Sequence, residues 1–209
     1  MKPFEVFCRL SYDSDYCKAM IEKYGEENLN ALSFLIANNG LGFNDSAPVI
    51  ISRPGWEGGC SPDISEWCHL KGIEVKDFNH PVKIDPNATN LRYAFHGCES
   101  FNQEIDVPKN IYDREYMLKD CKSFDQPVGW FKDTGRGAGL LYGCSSFNQK
   151  LIFPNHVSGF GSVCKGCSSL NSIIRIPDNI SMVTLLEMFA GCESLTLDKF
   201  LLSDSTCYG

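Results

Sequence analysis

The cysteines are the side chains of this sequence with the greatest chemical potential. The chain of 209 residues has eleven of them, and Cys164 and Cys167 form a Cys-x-x-Cys pair. Such a pair is typical of a redox centre or of half a zinc site. A tetrahedral zinc site needs further ligands, and the sequence has no second Cys-x-x-Cys and no Cys-x-His. We therefore expect reduced thiols, no metal and no cofactor.

A glycine-rich segment, Asp-Thr-Gly-Arg-Gly-Ala-Gly at 133–139, suggests a phosphate loop with Arg136 as the anion contact. A nucleotide fingerprint, however, needs a preceding strand, a following helix and a fuller glycine spacing. The sequence instead predicts a flexible bulge. Because loops on a rigid scaffold often carry recognition, Arg136 and Phe131 are candidate binding residues, with Phe131 as an exposed aromatic anchor.

The spacing of the cysteines indicates a structural repeat. Four of them follow one another at intervals of 23 residues, and a fifth follows after 25: Cys98, Cys121, Cys144, Cys167 and Cys192. A sixth copy, 23 residues before Cys98, has Val75 in the cysteine position. A fixed period of this size is typical of stacked units that cannot bury their apolar faces alone. We therefore predict that the cysteines form a ladder in the core.

Other positions of the repeat, counted as offsets from the cysteine, are equally regular. Offset +3 is Phe or Leu, and offsets +7 and +9 are apolar, which predicts a short half-buried strand. Offset +4 is an amide in four copies, where the side chain can bond the turn of the next unit: Asn79, Asn102, Asn148 and Asn171. The four histidines fall at unrelated offsets with no nucleophile beside them, so we predict no catalytic residue.

The strand positions that point away from the predicted core are offsets +6 and +8. Their chemistry varies from copy to copy, as a binding face requires. The candidate binding residues on this face are Lys83, Glu104, Asp106, Lys150, Ile152 and Arg175.

The repeat resembles a known family. The segment from Cys167 to Ile180, followed by Met188 to Cys192, is similar to the BspA-like, or Treponema pallidum-type, leucine-rich repeat. The Phe-Asn-Gln copies also resemble repeats of mycoplasma surface proteins. The resemblance covers about residues 70–203 and implies an α/β repeat fold, a short leucine-rich-repeat-like solenoid with a parallel strand ladder that binds partners.

The N-terminal segment, 1–60, lacks the period and is predicted to be an α+β cap over the end of the repeats. Residues 61–209 are predicted to form about six coils that close from about residue 198. The elements predicted in and after the cap are strands at 4–10 and 49–52 and helices at 13–24, 27–38 and 63–71.

The charge pattern limits the possible partners. The net charge is −7 with no Lys/Arg cluster, which argues against direct binding to nucleic acid or to a membrane. A basic protein, such as an enzyme that acts on nucleic acid, would be attracted. No signal-like apolar segment is present, so we expect a cytoplasmic protein.

These observations predict a non-enzymatic protein-binding scaffold, a cytosolic recognition or inhibitory factor. A narrower hypothesis is a phage-type counter-defence or toxin-neutralising protein. Two alternatives stay open: a surface or adhesion repeat protein, and an enzyme whose site lies in the cap, with Cys8, Cys17 or Asp13.

Overall fold

The computed structural model divides the chain into two compact units, Met1–Ala47 and Pro48–Gly209. It describes residues 22–23, 48–133, 135–155, 159–177 and 182–202. The strand predicted at 4–10 and the helices predicted at 13–24 and 27–38 therefore lie outside the described residues, except that 22 and 23 are helical. None of the helices in the described ranges is long and apolar enough to cross a bilayer.

The second unit begins with a strand and a helix held by one buried carboxylate. The helix α1 (Pro62–Lys71) starts at Ser61, whose hydroxyl accepts a hydrogen bond from the Asp63 amide at 3.2 Å. It ends at Gly72, whose left-handed conformation closes the last turn. The Asp63 carboxylate is buried and accepts hydrogen bonds from the backbone of Ser52 and Arg53 at 2.7 and 3.0 Å. Asp63 thus joins the start of α1 to the end of the preceding strand.

The unit boundary differs from the sequence prediction. The strand β1 (Val49–Ile51) pairs in parallel with β2 (Val82–Ile84), Ile51 lying opposite Ile84. Both of these residues are buried in the core that contains the repeats. Residues 48–60, predicted to belong to the cap, are therefore part of the second unit.

The repeats lie side by side in register. Backbone amides of one repeat bond carbonyls of the next repeat, from Phe95 to Met117 at 2.8 Å and from Leu118 to Leu140 at 2.9 Å. The rings at offset +3 stack along the same direction, with centroids 5.8 to 6.2 Å apart: Phe78, Phe101, Phe124 and Phe147. Equivalent side chains of successive repeats therefore pack on one another.

The predicted strand ladder is interrupted. The strands β3 (Leu151–Ile152), β4 (Ile174–Ile176) and β5 (Phe200–Leu202) form a second parallel sheet, separate from β1 and β2. The equivalent segments 105–107 and 128–130 form no strand. In the second of these segments the backbone forms a 3-10 helix, Gly129–Asp133, instead of an extended strand. The continuous ladder predicted across these copies is therefore wrong at two of them.

A different parallel ladder runs through the segment that precedes each cysteine. Asn90 pairs with Asp113, and Asp113 with Arg136, each as a parallel bridge. The Gly137 amide continues the pattern to the Gly159 carbonyl at 3.0 Å. We call this set of segments, 90–93, 113–116, 136–139 and 159–162, the return ladder. In the last copy the helix α2 (Met182–Met188) follows instead.

We expect Asp63→Asn to lower the free energy of unfolding by about 1–3 kcal/mol at pH 7. The amide oxygen can keep the two backbone hydrogen bonds, but the neutral side chain then turns an N–H donor toward Arg53 Nε and loses the charge that pairs with the guanidinium. Burial opposes ionisation of Asp63, but the hydrogen bonds from Ser52 and Arg53 outweigh it, so its pKa lies below the ordinary value. The stabilisation is present above the unfolded pKa of about 3.9 and is lost as the pH falls through the lower folded pKa. Urea unfolding at pH 7 and at pH 2 to 3 measures both effects.

The control is Asp77→Asn, since the Asp77 side chain is exposed. An Asp63→Asn variant as stable as this control at pH 7 would contradict the role given to Asp63.

Candidate functional site

The five repeat cysteines form a ladder of thiols that bond the backbone. Each thiol of Cys121, Cys144 and Cys167 donates to a carbonyl of the preceding repeat at 3.1 Å, in Phe95, Leu118 and Leu141. The Cys192 thiol likewise donates to the Cys164 carbonyl at 3.1 Å. The Cys98 side chain is fully buried. The side chains of Cys98, Cys121, Cys144 and Cys167 therefore lie in the interior, and that of Cys192 is half-buried.

Burial determines the chemistry of these thiols. It raises the pKa of Cys121 and of Cys144 well above the ordinary value, and it raises the pKa of Cys192 to about 12. The eight cysteines of the described ranges are free thiols. At neutral pH the thiols of Cys121, Cys144 and Cys192 are therefore protonated, and protonated thiols are poor nucleophiles.

Cys164 and Cys167 do not form a ligand set. Both are fully buried, and burial raises the pKa of Cys164 well above the ordinary value. Within the described ranges, no group of three His, Cys, Asp or Glu side chains is arranged to hold a metal ion. His80 stacks on Trp67, with ring centroids 4.6 Å apart.

We expect iodoacetamide to alkylate Cys121 and Cys144 at least a thousand-fold more slowly in the native protein than in urea, because reaction requires unfolding. Cys192, which is half-buried, should react first among the described cysteines. Time-resolved alkylation with peptide mass spectrometry measures each rate. Rapid native labelling of Cys144 would place that thiol on the surface and contradict the ladder.

An amide ladder runs parallel to the thiols. The Asn79 side-chain oxygen accepts from the Asn102 amide at 2.9 Å, and the Asn102 oxygen accepts from the Asp125 amide at 2.9 Å. The side-chain oxygens of Asp125 and then of Asn148 repeat this bond at 2.8 Å. Gln103 also donates to the Asn79 oxygen at 2.9 Å. Each turn is thus tied to the previous one by a side-chain oxygen.

The outward strand positions are exposed, apart from Arg175, which is half-buried: Lys83, Glu104, Asp106, Lys150, Ile152 and Arg175. On the second sheet Ile152 lies opposite Arg175, and Arg175 lies opposite Leu201. Ile152 and Leu201 are 39% and 37% exposed, and the neighbouring Ile173 is 44% exposed. We call Lys150, Ile152, Ile173, Arg175 and Leu201 the strand face. It is an apolar surface with two cations.

Phe131 does not lie on any outer face. It is buried, 1% exposed, and its ring contacts Phe153 and Phe160 at centroid distances of 4.9 and 5.5 Å. The 3-10 turn at Gly129–Asp133 directs this side chain inward, since the Phe131 amide bonds the Val128 carbonyl at 2.8 Å. The expectation of an exposed aromatic anchor is wrong.

The glycine-rich segment is part of the return ladder. The Arg136 and Ala138 carbonyls accept from the amides of Arg114 and Tyr116 at 2.9 and 2.8 Å. Tyr112 and Tyr116 lie flat on Gly135 and Gly139, where a Cβ atom would overlap with their rings. The predicted bulge is therefore wrong for residues 136–139, and the ring packing explains two of the glycines.

A buried carboxylate organises the charges beside this segment. Glu115, 7% exposed, pairs with Arg92 and with Arg136, each at 2.8 Å. Arg136 projects outward, and its side chain is 51% exposed. The adjacent Arg114 points inward, is fully buried, and donates to the Pro108 carbonyl at 3.2 Å. The sequence analysis did not identify Glu115 or Arg114, because neither position repeats the same residue type.

An open groove of about 390 Å³ lies on the return ladder. Tyr112, Glu115 and Arg136 line one part of it, and Gly159 and Gly161 line another. Of these lining residues, only Arg136 was predicted as a binding residue from the sequence. The other residues could have been noticed at offset −6, where the charged side chains of Arg92 and Glu115 are followed in later repeats by Ala138 and Gly161.

Part of the repeat region matches a known protein family. Residues 74–153 match the family described as "Mycoplasma protein of unknown function, DUF285". The relationship to mycoplasma-type repeats predicted from the sequence is confirmed over these residues. No curated protein matches the sequence.

The crystal structure of the T. pallidum leucine-rich repeat protein is similar to this chain. The two share 21% identity, the TM-score is 0.41, and the match covers 58% of this chain and 56% of that chain. The chain thus matches little more than half the length of that protein.

Proposed function

We propose that residues 48–202 form a short leucine-rich-repeat-like solenoid that binds another protein through the strand face. The observation that carries this proposal is the row of exposed apolar side chains on the second sheet. Ile152, Ile173 and Leu201 are each more than a third exposed, although the alternate residues Leu151 and Ile174 are buried. Apolar side chains grouped on a rigid sheet are typical of interaction sites.

The charges of this surface define what a partner must offer. Lys150 and Arg175 accompany the apolar residues, so the partner needs carboxylates around an apolar contact. Two repeats earlier in the stack the exposed outward residues are Glu104 and Asp106, which would contact basic groups. Such an alternation of charge fixes the orientation of a partner more than it adds affinity.

The proposal assigns no reaction to the described residues. Burial raises the pKa of the Cys121 and Cys144 thiols well above the ordinary value, and the amides at offset +4 bond the neighbouring turn. A narrower form of the proposal is a cytosolic inhibitory factor directed at a basic, nucleic-acid-acting enzyme, as in phage-type counter-defence. It is supported by the net charge of −7, which favours association with a basic partner.

The test compares two variants with matched charge changes. Ile152→Asp with Arg175→Glu alters the strand face, and Ser146→Asp with Lys109→Glu alters exposed residues elsewhere. Partners are captured from a lysate of the cells that encode the chain, and their dissociation constants are then measured with purified protein. We expect the first variant to weaken binding at least tenfold and the second less than twofold.

Equal affinity of both variants and the unchanged protein would exclude the strand face as the site. A partner whose binding interface is neither acidic nor basic would argue against the charge assignments.

A second candidate is a surface or adhesion repeat protein. It is supported by the match of residues 74–153 to a mycoplasma protein family. Mild protease treatment of intact cells distinguishes the two, because a surface protein is cleaved and a cytosolic inhibitor is protected.

A further inference from the structure

The glycines of the return ladder fall into two groups. Gly135 and Gly139 are covered by tyrosine rings, as described above. Gly159 and Gly161 are different, because a Cβ atom at Gly159 would make only ordinary contacts at 3.7 Å and one at Gly161 would meet no atom of the described residues within 4 Å. Neither of them has a positive φ angle. The described part of the fold therefore does not require glycine at 159 or 161.

Glycine at these two positions nevertheless has a consequence for the surface. The residues at two equivalent positions change along the return ladder from Asp113 and Glu115, through Arg136 and Ala138, to Gly159 and Gly161. The backbone is thereby uncovered and forms the floor of the groove. A glycine that no described packing requires permits the close approach of another backbone or ligand.

The walls of the groove have a defined chemistry. Tyr112 is 63% exposed and offers an aromatic edge, and the Arg136 guanidinium is 51% exposed. The Glu115 carboxylate is already paired with both Arg92 and Arg136. Two guanidinium groups therefore surround one carboxylate, and the accessible charge at the groove is that of Arg136. Arginine beside tyrosine is a composition typical of binding hot spots.

From this geometry we propose that the groove is a second binding site, distinct from the strand face, for an extended peptide segment of a partner protein that carries a carboxylate beside an aromatic or aliphatic side chain. The carboxylate pairs with Arg136, and the apolar side chain packs against Tyr112. The peptide backbone lies over Gly159 and Gly161, which carry no side chains of their own to exclude it.

The test uses a random peptide library displayed on phage and selected against the full chain. Selected peptides are synthesised, and their dissociation constants are measured by fluorescence anisotropy against three proteins. These are the unchanged chain, Gly161→Arg, which fills the groove where a side chain meets no atom, and Arg136→Gln. Thermal unfolding verifies that each variant is folded, and Gly129→Arg, at another position with open space, is the matched control.

We expect the selected peptides to contain Asp or Glu near an aromatic or aliphatic residue. Gly161→Arg and Arg136→Gln should each weaken binding at least tenfold, and Gly129→Arg less than twofold. Replacement of the peptide carboxylate by its amide should weaken binding to the unchanged chain but not to Arg136→Gln.

Three results would overturn the proposal. They are the absence of any selected peptide, selected peptides that are basic, and selected peptides that bind Gly161→Arg as tightly as the unchanged chain. Sedimentation velocity adds a further outcome, because a dimer that Gly161→Arg dissociates would show that a second copy occupies the groove. The strand-face variant should bind these peptides normally, so failure of this proposal is separable from failure of the proposed function.

Discussion

Replacing Phe124 by alanine is expected to lower the free energy of unfolding by about 3–5 kcal/mol. The ring is 1% exposed and stacks between Phe101 and Phe147, at centroid distances of 6.1 and 6.2 Å. Its loss leaves a cavity in the middle of the stack, and rings held on both sides cannot collapse to fill it. Chemical unfolding of the variant measures the loss.

Two further substitutions make the Phe124 result specific. Phe124→Leu should cost clearly less, because Leu170 and Leu195 occupy the same repeat position in later copies. Leu197→Ala should change stability by less than about 0.5 kcal/mol, since Leu197 is 82% exposed. A loss below about 1 kcal/mol for Phe124→Ala would mean that this ring is not an interior element of the stack.

Gly139→Ala is expected to destabilise the protein by about 2–4 kcal/mol. Part of the cost is conformational, because Gly139 has a φ angle of 57°. Residues with side chains adopt this left-handed conformation elsewhere in the fold. Tyr93, Tyr116 and Ser162, which like Gly139 lie five residues before the repeat cysteine, have φ angles of 52°, 54° and 54°. The larger part is steric, because a Cβ atom at Gly139 would overlap with the Tyr116 ring.

A double-mutant cycle separates the two parts. Removing the ring with Tyr116→Ala should recover the steric part of the Gly139→Ala effect, with a coupling energy of about 1–3 kcal/mol. The control is Gly129→Ala, whose Cβ atom would meet nothing within 4 Å. Additive effects of Gly139→Ala and Tyr116→Ala would contradict the direct packing of this ring on the glycine.

Positions that repeat the same residue type could be predicted from the sequence. The phenylalanine at +3 and the asparagine at +4 each contact their own equivalent in the next repeat, and the cysteine at offset 0 bonds the same backbone position of the preceding repeat each time. Identical side chains at a fixed spacing therefore carry the stacking information. The start of α1 was also predictable within one residue, because Ser61 caps the helix.

Features that occur in a single copy could not be predicted. Gly129 replaces a strand residue in one repeat, and the 3-10 turn at Gly129–Asp133 buries Phe131 and interrupts the ladder. The apolar spacing of this segment is the same as in its neighbours, so periodicity alone does not reveal the change of backbone. The boundary at residue 48 was missed because β1 is a very short strand whose partner, β2, lies beyond α1 in the sequence.

The groove was missed for a related reason. Gly135 and Gly139 are explained by the tyrosine rings on them, whereas Gly159 and Gly161 are conspicuous only once the space above them is known. The pairing of Glu115 with two arginines from neighbouring repeats likewise depends on three-dimensional proximity. Sequence analysis could identify Arg136 as a candidate but could not place it beside Tyr112.

The most direct test of the stacked repeats is the measurement of scalar couplings across backbone hydrogen bonds by NMR in deuterated protein. We expect couplings from the amide nitrogens of Phe95, Leu118 and Leu141 to the carbonyl carbons of Met117, Leu140 and Val163, each in the repeat that follows. Couplings from these three amides to any other carbonyls would contradict the in-register stack on which both proposed binding surfaces depend.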